Sequence, residues 1–207
     1  MRPASNPQPC GTSLRVLSSL NRLDDAERAF RRAIELSPSF CGAHSNLGVL
    51  LTRQERFAEA ETSLRKALSI DPTHAATFSN FGMALQAQNR WPEAKKAYRQ
   101  ALKLQPDFTD AAMNLGIVLR DLGRNAEAES VFKRIVTQEP DSRDSASLNL
   151  GILYRDNGRL PEAAEAFGAV SAERPAAGVG KSGTRALMLA NGRYADGSGV
   201  SVRASLR

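Results

Sequence analysis

Four asparagines, Asn46, Asn80, Asn114 and Asn149, stand 34, 34 and 35 residues apart, and each is followed by a large apolar residue and a glycine. A carboxamide offers two donors and one acceptor, so a regular row of them can pair with a peptide backbone without reading its side chains. This is the chemistry of equilibrium binding, in which no covalent bond forms or breaks. The same amides also suit a second role, bonding neighbouring helices, and the sequence leaves both open.

Other reactive groups stand alone. Gly180-Lys181-Ser182 has the ending of a phosphate-binding loop, but the glycine required five residues earlier is Pro175 and no strand precedes it. His44 falls at a packing position and His74 in a loop, so neither has a partner for metal ligation or for activating a nucleophile. Cys10 and Cys41 lack paired or metal-ligand spacing, which favours a reducing compartment. The acidic run of Glu55, Glu59 and Glu61 reads as a solvated helix face. No catalytic residue, metal site or cofactor is expected, and the chain reads as a binder and not as an enzyme.

What must position the amides is a periodic array. Pro38, Pro72, Pro106, Pro140 and Pro175 recur at steps of 34, 34, 34 and 35 residues. Setting each proline at the thirty-second position gives repeats at 41–74, 75–108, 109–142 and 144–177, with Arg143 as one inserted residue and a partial unit at 12–40. The seventh and eighth positions are then Leu47-Gly48, Phe81-Gly82, Leu115-Gly116 and Leu150-Gly151, and the twentieth is Ala60, Ala94, Ala128 and Ala163. Leu64, Tyr98, Phe132 and Phe167 occupy the twenty-fourth. Spacings of 3, 4 and 7 place such residues on one face of a helix.

Each repeat therefore predicts two helices. A glycine inside a helix costs about 0.5–1 kcal/mol relative to alanine, and close approach of Gly48 to Ala60, repeated down the array, is the expected compensation. Glu55, Asn89, Gly123 and Gly158, each before an arginine, mark the turn between helices, where Gly or Asn supplies a left-handed conformation. Each proline pushes its predecessor out of helical geometry, and Thr73, Asp107 or Asp141 is expected to cap the helix that follows.

Four such matches in register, over residues 41–177, resemble the tetratricopeptide repeat family. The resemblance implies an all-α, right-handed superhelical solenoid of antiparallel helix pairs, with four full repeats and one partial N-terminal repeat. It also implies that positions 2, 5, 6, 9, 12 and 13 of each first helix face a concave groove that holds a protein or peptide ligand. On that basis the peptide-binding residues are Asn46, Asn80, Asn114, Asn149, Arg53, Met83, Gln86, Met113, Arg120 and Arg155. Asp110, Asp121 and Asp156 make the groove mixed in sign, and the methionines give it adaptable apolar surface. The ninth position holds Val49, Met83, Ile117 and Ile152, which disfavours a clamp for acidic C-termini. His44, Phe78, Ala112 and Ser147 replace the family's frequent tryptophan at the fourth position, and Asn125 replaces the apolar residue seen at Leu23, Phe57, Trp91 and Leu160.

A protein-interaction scaffold is the function this resemblance implies. Similar arrays occur in kinesin light chains, O-linked N-acetylglucosamine transferases and O-mannosyltransferases. The alternative reading is thus the substrate-targeting arm of a glycosyltransferase, a fragment whose catalytic region lies outside this chain.

Charge supports binding to protein more than to nucleic acid. The net charge is +6, yet residues 21–177 hold 21 basic and 21 acidic groups, so the excess lies in the flanks. A phosphate-binding face needs its cations on folded structure. The longest apolar runs fall far short of a membrane span, and a cytoplasmic location is expected, or the endoplasmic-reticulum lumen for an arm of a membrane-embedded glycosyltransferase. Residues 1–11 are expected to be flexible, a short helix is expected at 12–20, and residues 178–207 read as a Gly-rich basic tail with one short helix at 184–190. No polar cap follows the last repeat, so Phe167 and Val170 are expected to be partly exposed and to offer a route to self-association.

Overall fold

The computed structural model describes residues 23–173, and every regular element among them is helical. The chain divides at Leu122 and Gly123 into two units. The first contains α1 (Leu23–Leu36), α2 (Cys41–Arg53), α3 (Phe57–Ile70), α4 (Ala75–Ala87), α5 (Trp91–Leu104) and α6 (Thr109–Asp121). The second contains α7 (Asn125–Gln138), a 3-10 turn (Pro140–Ser142), α8 (Arg143–Asp156) and α9 (Leu160–Glu173). The expected flexible N-terminus, the helix at 12–20 and the basic tail lie outside the described residues.

In the first unit each helix packs on the next, and α2 also touches α4, as α4 touches α6. Its core is built from the repeated positions. Ala60, Ala94, Leu64, Tyr98, Ala67 and Ala101 on the second helices are fully buried, and Leu51 and Leu85 on the first are nearly so. Helices α1, α3 and α5 end two residues before Pro38, Pro72 and Pro106, where the ring leaves the preceding residue no helical geometry.

The helical glycines face a different neighbour from the one expected. The atoms closest to a side chain built on Gly48 belong to Leu64, not Ala60, and a methyl on Gly82 would stand 2.7 Å from Tyr98 Cε1. In the second unit Gly151 meets the ring of Phe167 in the same way. The glycine thus makes room for the large residue at the twenty-fourth position, while the alanine at the twentieth is separately buried.

The interhelix turns follow expectation, since Glu55 (φ 60°), Asn89 (φ 58°), Gly123 (φ 71°) and Gly158 (φ 72°) are all left-handed. The helix caps do not. His74 is the N-cap of α4 and its Nδ1 accepts from the Thr77 backbone N–H at 3.3 Å. Thr73 instead donates its N–H and hydroxyl to Asp71 Oδ1, at 2.9 and 2.7 Å, in a turn over Pro72. Asp107 stands one residue before the N-cap Phe108 of α6, and Asp141 is taken into the 3-10 turn, so neither caps a helix. That turn, with a first helix of 14 residues instead of 13, takes up the inserted Arg143.

In the acidic run Glu55 and Glu59 are exposed, as expected of a solvated face, whereas Glu61 is largely buried. Arg56 at the turn holds Glu59 in a two-point pair (2.8 and 2.7 Å) and reaches back to Glu27 on α1 at 2.8 Å. Arg90 repeats this with Glu93 (2.7 Å) and with Glu61 (2.9 Å), whose side chain is 13% exposed and also pairs with Arg65. Each arginine therefore clips its own second helix to the second helix before it. The paired carboxylates hold both guanidinium groups above their ordinary range.

In the second unit Arg159 plays this part, pairing with Glu162 at 2.9 Å and with Glu129 on α7 at 2.6 Å, and lying 4.4 Å over the ring of Tyr154. Asn125, in an otherwise apolar position, donates to Asn157 Oδ1 at 2.5 Å, a bond that joins the start of α7 to the end of α8. Phe167 and Val170 are 4% and 3% exposed, so these two residues do not form the open apolar end that was expected of them. Phe167 lies against Gly151.

Candidate functional site

The face that the first helices share in the first unit carries Asn46 on α2, Asn80 on α4 and Asn114 on α6, one amide per helix at the same register position. All three are half-buried. Their surroundings differ. Asn80 donates through Nδ2 to Ser45 Oγ on α2 at 3.0 Å, so one of its two donors already ties two helices together. Asn114 makes no side-chain hydrogen bond among the described residues, so both donors and the acceptor of its amide remain available.

A string of polar groups runs beneath Asn80. Thr77 Oγ1, fully buried, donates to Ser45 Oγ at 3.1 Å and lies 2.7 Å from His74 Nδ1, while Cys41 Sγ is 3.9 Å away. The Cys41 thiol is pushed up by burial, which keeps it protonated and unreactive near neutrality. These groups fix the amide of Asn80 and the N-terminus of α4. Sequence reasoning missed both hydroxyls: Ser45 occupies a groove position, and its register alone could have found it, whereas Thr77, on the buried side, carries no such signal.

The remaining residues fall into two kinds. Met83 and Met113 are half-buried on α4 and α6 and supply apolar surface beside the amides. Gln86, also on α4, accepts from the buried Tyr98 hydroxyl at 2.9 Å, so its role is partly internal. Burial pushes the Tyr98 hydroxyl far up, which keeps it a neutral donor. Arg53 at the end of α2 is exposed and has no ion pair among the described residues. Arg120 pairs with its neighbour Asp121 at 3.0 Å, which offsets the positive charge this end of α6 presents.

In the second unit α8 carries Asn149 and Arg155. Asn149 Nδ2 donates to its own helix at Ser145 O, 2.9 Å away. Arg155 pairs with Asp156 at 2.8 Å, as Arg120 does with Asp121. The structure thus brings three of the four predicted asparagines onto one face of a single unit and places the fourth on the other unit.

Profiles of one family match almost all of the described chain. Tetratricopeptide repeat profiles cover residues 9–40, 40–107, 80–144 and 141–178. The chain belongs to the tetratricopeptide repeat family. A search of curated protein sequences gave no match. Among solved structures this tetratricopeptide protein is similar to a thermophilic one from Thermus thermophilus, at 20% identity and a TM-score of 0.70 over 85% of this chain and 95% of that one. It is also similar to YrrB, a tetratricopeptide protein with an unusual peptide-binding site, at 24% identity and a TM-score of 0.66 (83% and 88% covered). PilF of Pseudomonas aeruginosa gives 22% identity and a TM-score of 0.73, with 86% and 81% covered. These likenesses establish the fold, and membership in the family supports a protein-interaction scaffold.

Proposed function

We propose that this protein is a non-catalytic scaffold that holds an extended peptide along the face of α2, α4 and α6. The observation that carries this reading is the Asn114 amide, half-buried and with no partner among the described residues. A peptide backbone passing over α6 would supply one donor and one acceptor to it, and Met83 and Met113 would pack against its side chains. Asn80 contributes its carbonyl oxygen and its second N–H, because Ser45 holds only one of its two donors. That YrrB has a peptide-binding site on the same fold favours the reading.

The two amides separate the roles. On an array of random peptides, Asn114→Ala should lose about 5–20-fold in affinity for every bound sequence, the loss of one or two hydrogen bonds to backbone. Asn80→Ala should lower thermal stability as well as binding, because it also releases Ser45. Equal binding by wild type and Asn114→Ala would leave the row of amides with a structural role alone.

A further inference from the structure

On the opposite side of α2 from Asn46, a cleft of about 570 Å³ opens between α1 and α3. Its floor is apolar, made by Ile34, Leu47, Leu51 and Ala58. The volume is in the range that accepts a ligand larger than one side chain, and the cleft is open to solvent, so a chain can lie in it.

The reason for the cleft is legible in the register. At the fourth and seventh positions the first full repeat has His44 and Leu47, where the second has Phe78 and Phe81. Both phenylalanines are half-buried, and Arg65 lies over the Phe81 ring, 5.7 Å from its centroid. In the first repeat His44 lines the cleft with its Nε2 3.0 Å from Pro38 O, and the residue matching Arg65, Arg31, keeps the matching pair with Glu27 but has Leu47 where Arg65 has the Phe81 ring. The first repeat thus lacks, at its fourth and seventh positions, the two rings that the second repeat carries.

The walls specify what fits. Their small polar groups are already bonded: Ser63 Oγ donates to His44 O at 2.9 Å, and Thr62 Oγ1 donates to Ala58 O at 2.9 Å. Their charges are mostly neutralised within the rim, Arg31 by Glu27 and Glu59, and Glu35 by Arg32. Lys66 is the exception, exposed and without an ion pair among the described residues. An occupant must then be apolar in body, with one negative group at the α3 side.

We infer that this cleft is a second binding site, for a peptide segment that presents a large apolar side chain next to an acidic residue. Charge complementarity with Lys66 selects the acid, and the unfilled floor over Leu47 and Leu51 selects the apolar anchor. This site stands apart from the amide face, so its success or failure does not depend on that reading.

The test uses the full chain and two fluorescein-labelled probe peptides, acetyl-Gly-Trp-Leu-Glu-Gly and the same sequence with Gln for Glu. His44→Phe/Leu47→Phe fills the cleft with the pair this fold already accepts in its second repeat, and circular dichroism verifies folding. Lys66→Glu needs no repacking. Anisotropy titrations should show the Glu peptide losing at least about tenfold in affinity on the filled variant and about fivefold on Lys66→Glu, with the Gln peptide indifferent to Lys66. Unchanged binding on the filled variant overturns the proposal. So does wild-type dimerisation in sedimentation that the filled variant abolishes, since the occupant would then be a second copy.

Discussion

At Gly82 a hydrogen atom stands where a methyl group would press on the Tyr98 ring from 2.7 Å. Alanine would gain about 0.8–1.0 kcal/mol in helix propensity, but the ring it displaces is fully buried and has no room to retreat. Gly82→Ala should therefore destabilise by about 1–3 kcal/mol, the usual range for an overpacked core, and urea unfolding will measure it. Gly168, which meets nothing within 4 Å, is the control, and Gly168→Ala should be neutral or stabilising. Glu55 presents the converse case. It is left-handed at φ 60° in a turn where the other three units use Asn or Gly, and its Cβ strains against its own backbone. Glu55→Gly should raise stability by up to about 1 kcal/mol, seen as a higher melting temperature with peptide binding unchanged.

Among the helices, the junction of α7, α8 and α9 concentrates charge on one carboxylate. Lys133, Arg159 and the Tyr154 hydroxyl all bond to Glu129, at 2.7, 2.6 and 3.0 Å, and hold its pKa down to about 2 against the opposing effect of burial. A pKa lowered on folding means that the unfolded chain binds the proton more readily. Glu129 accordingly contributes stability above its unfolded pKa of about 4.3, and this is lost as pH falls toward 2. Over that window the melting temperature of Glu129→Gln should fall less steeply with acid than that of the wild type. An identical slope for both would show that other carboxylates govern acid unfolding.

The helices and their turns are legible in the sequence because they depend on local rules, the prolines and the left-handed residues, which act within a few positions of themselves. What crosses between helices is less so. That Gly48 faces Leu64 and not Ala60 follows from which side chains slope toward each other, a direction that register alone does not carry. His74 is hard to recognise as a cap because its ring must offer an unprotonated nitrogen to Thr77, an unusual use of histidine. Register also treats the amides as equivalent, and they are not: Asn80 donates to Ser45 at the fifth position of the previous repeat, whereas Asn114 makes no matching bond to Ser79, which holds the same position one repeat on.

For the whole molecule, charge is distributed by segment. Residues 178–207 carry five basic groups and one acidic one, whereas residues 21–177 balance. Retention on heparin at low salt should drop sharply when residues 178–207 are deleted, since the repeats offer no net positive charge to a polyanion. Retention that survives the deletion would place a cationic surface on the repeats themselves. Peptide binding to α2, α4 and α6 should be the same with or without the tail.

The arginine clips bear on how such a chain can change in length. Arg56 reaches Glu27 and Arg90 reaches Glu61 across the same 29 residues. If residues 28–61 were excised, Glu27 would stand 29 residues before Arg90 and meet it as it now meets Arg56. A block of 34 residues can thus be lost or duplicated here with the clip between successive second helices kept. Ancestral chains could lengthen and shorten their reach one hairpin at a time, each intermediate still folded and open to selection.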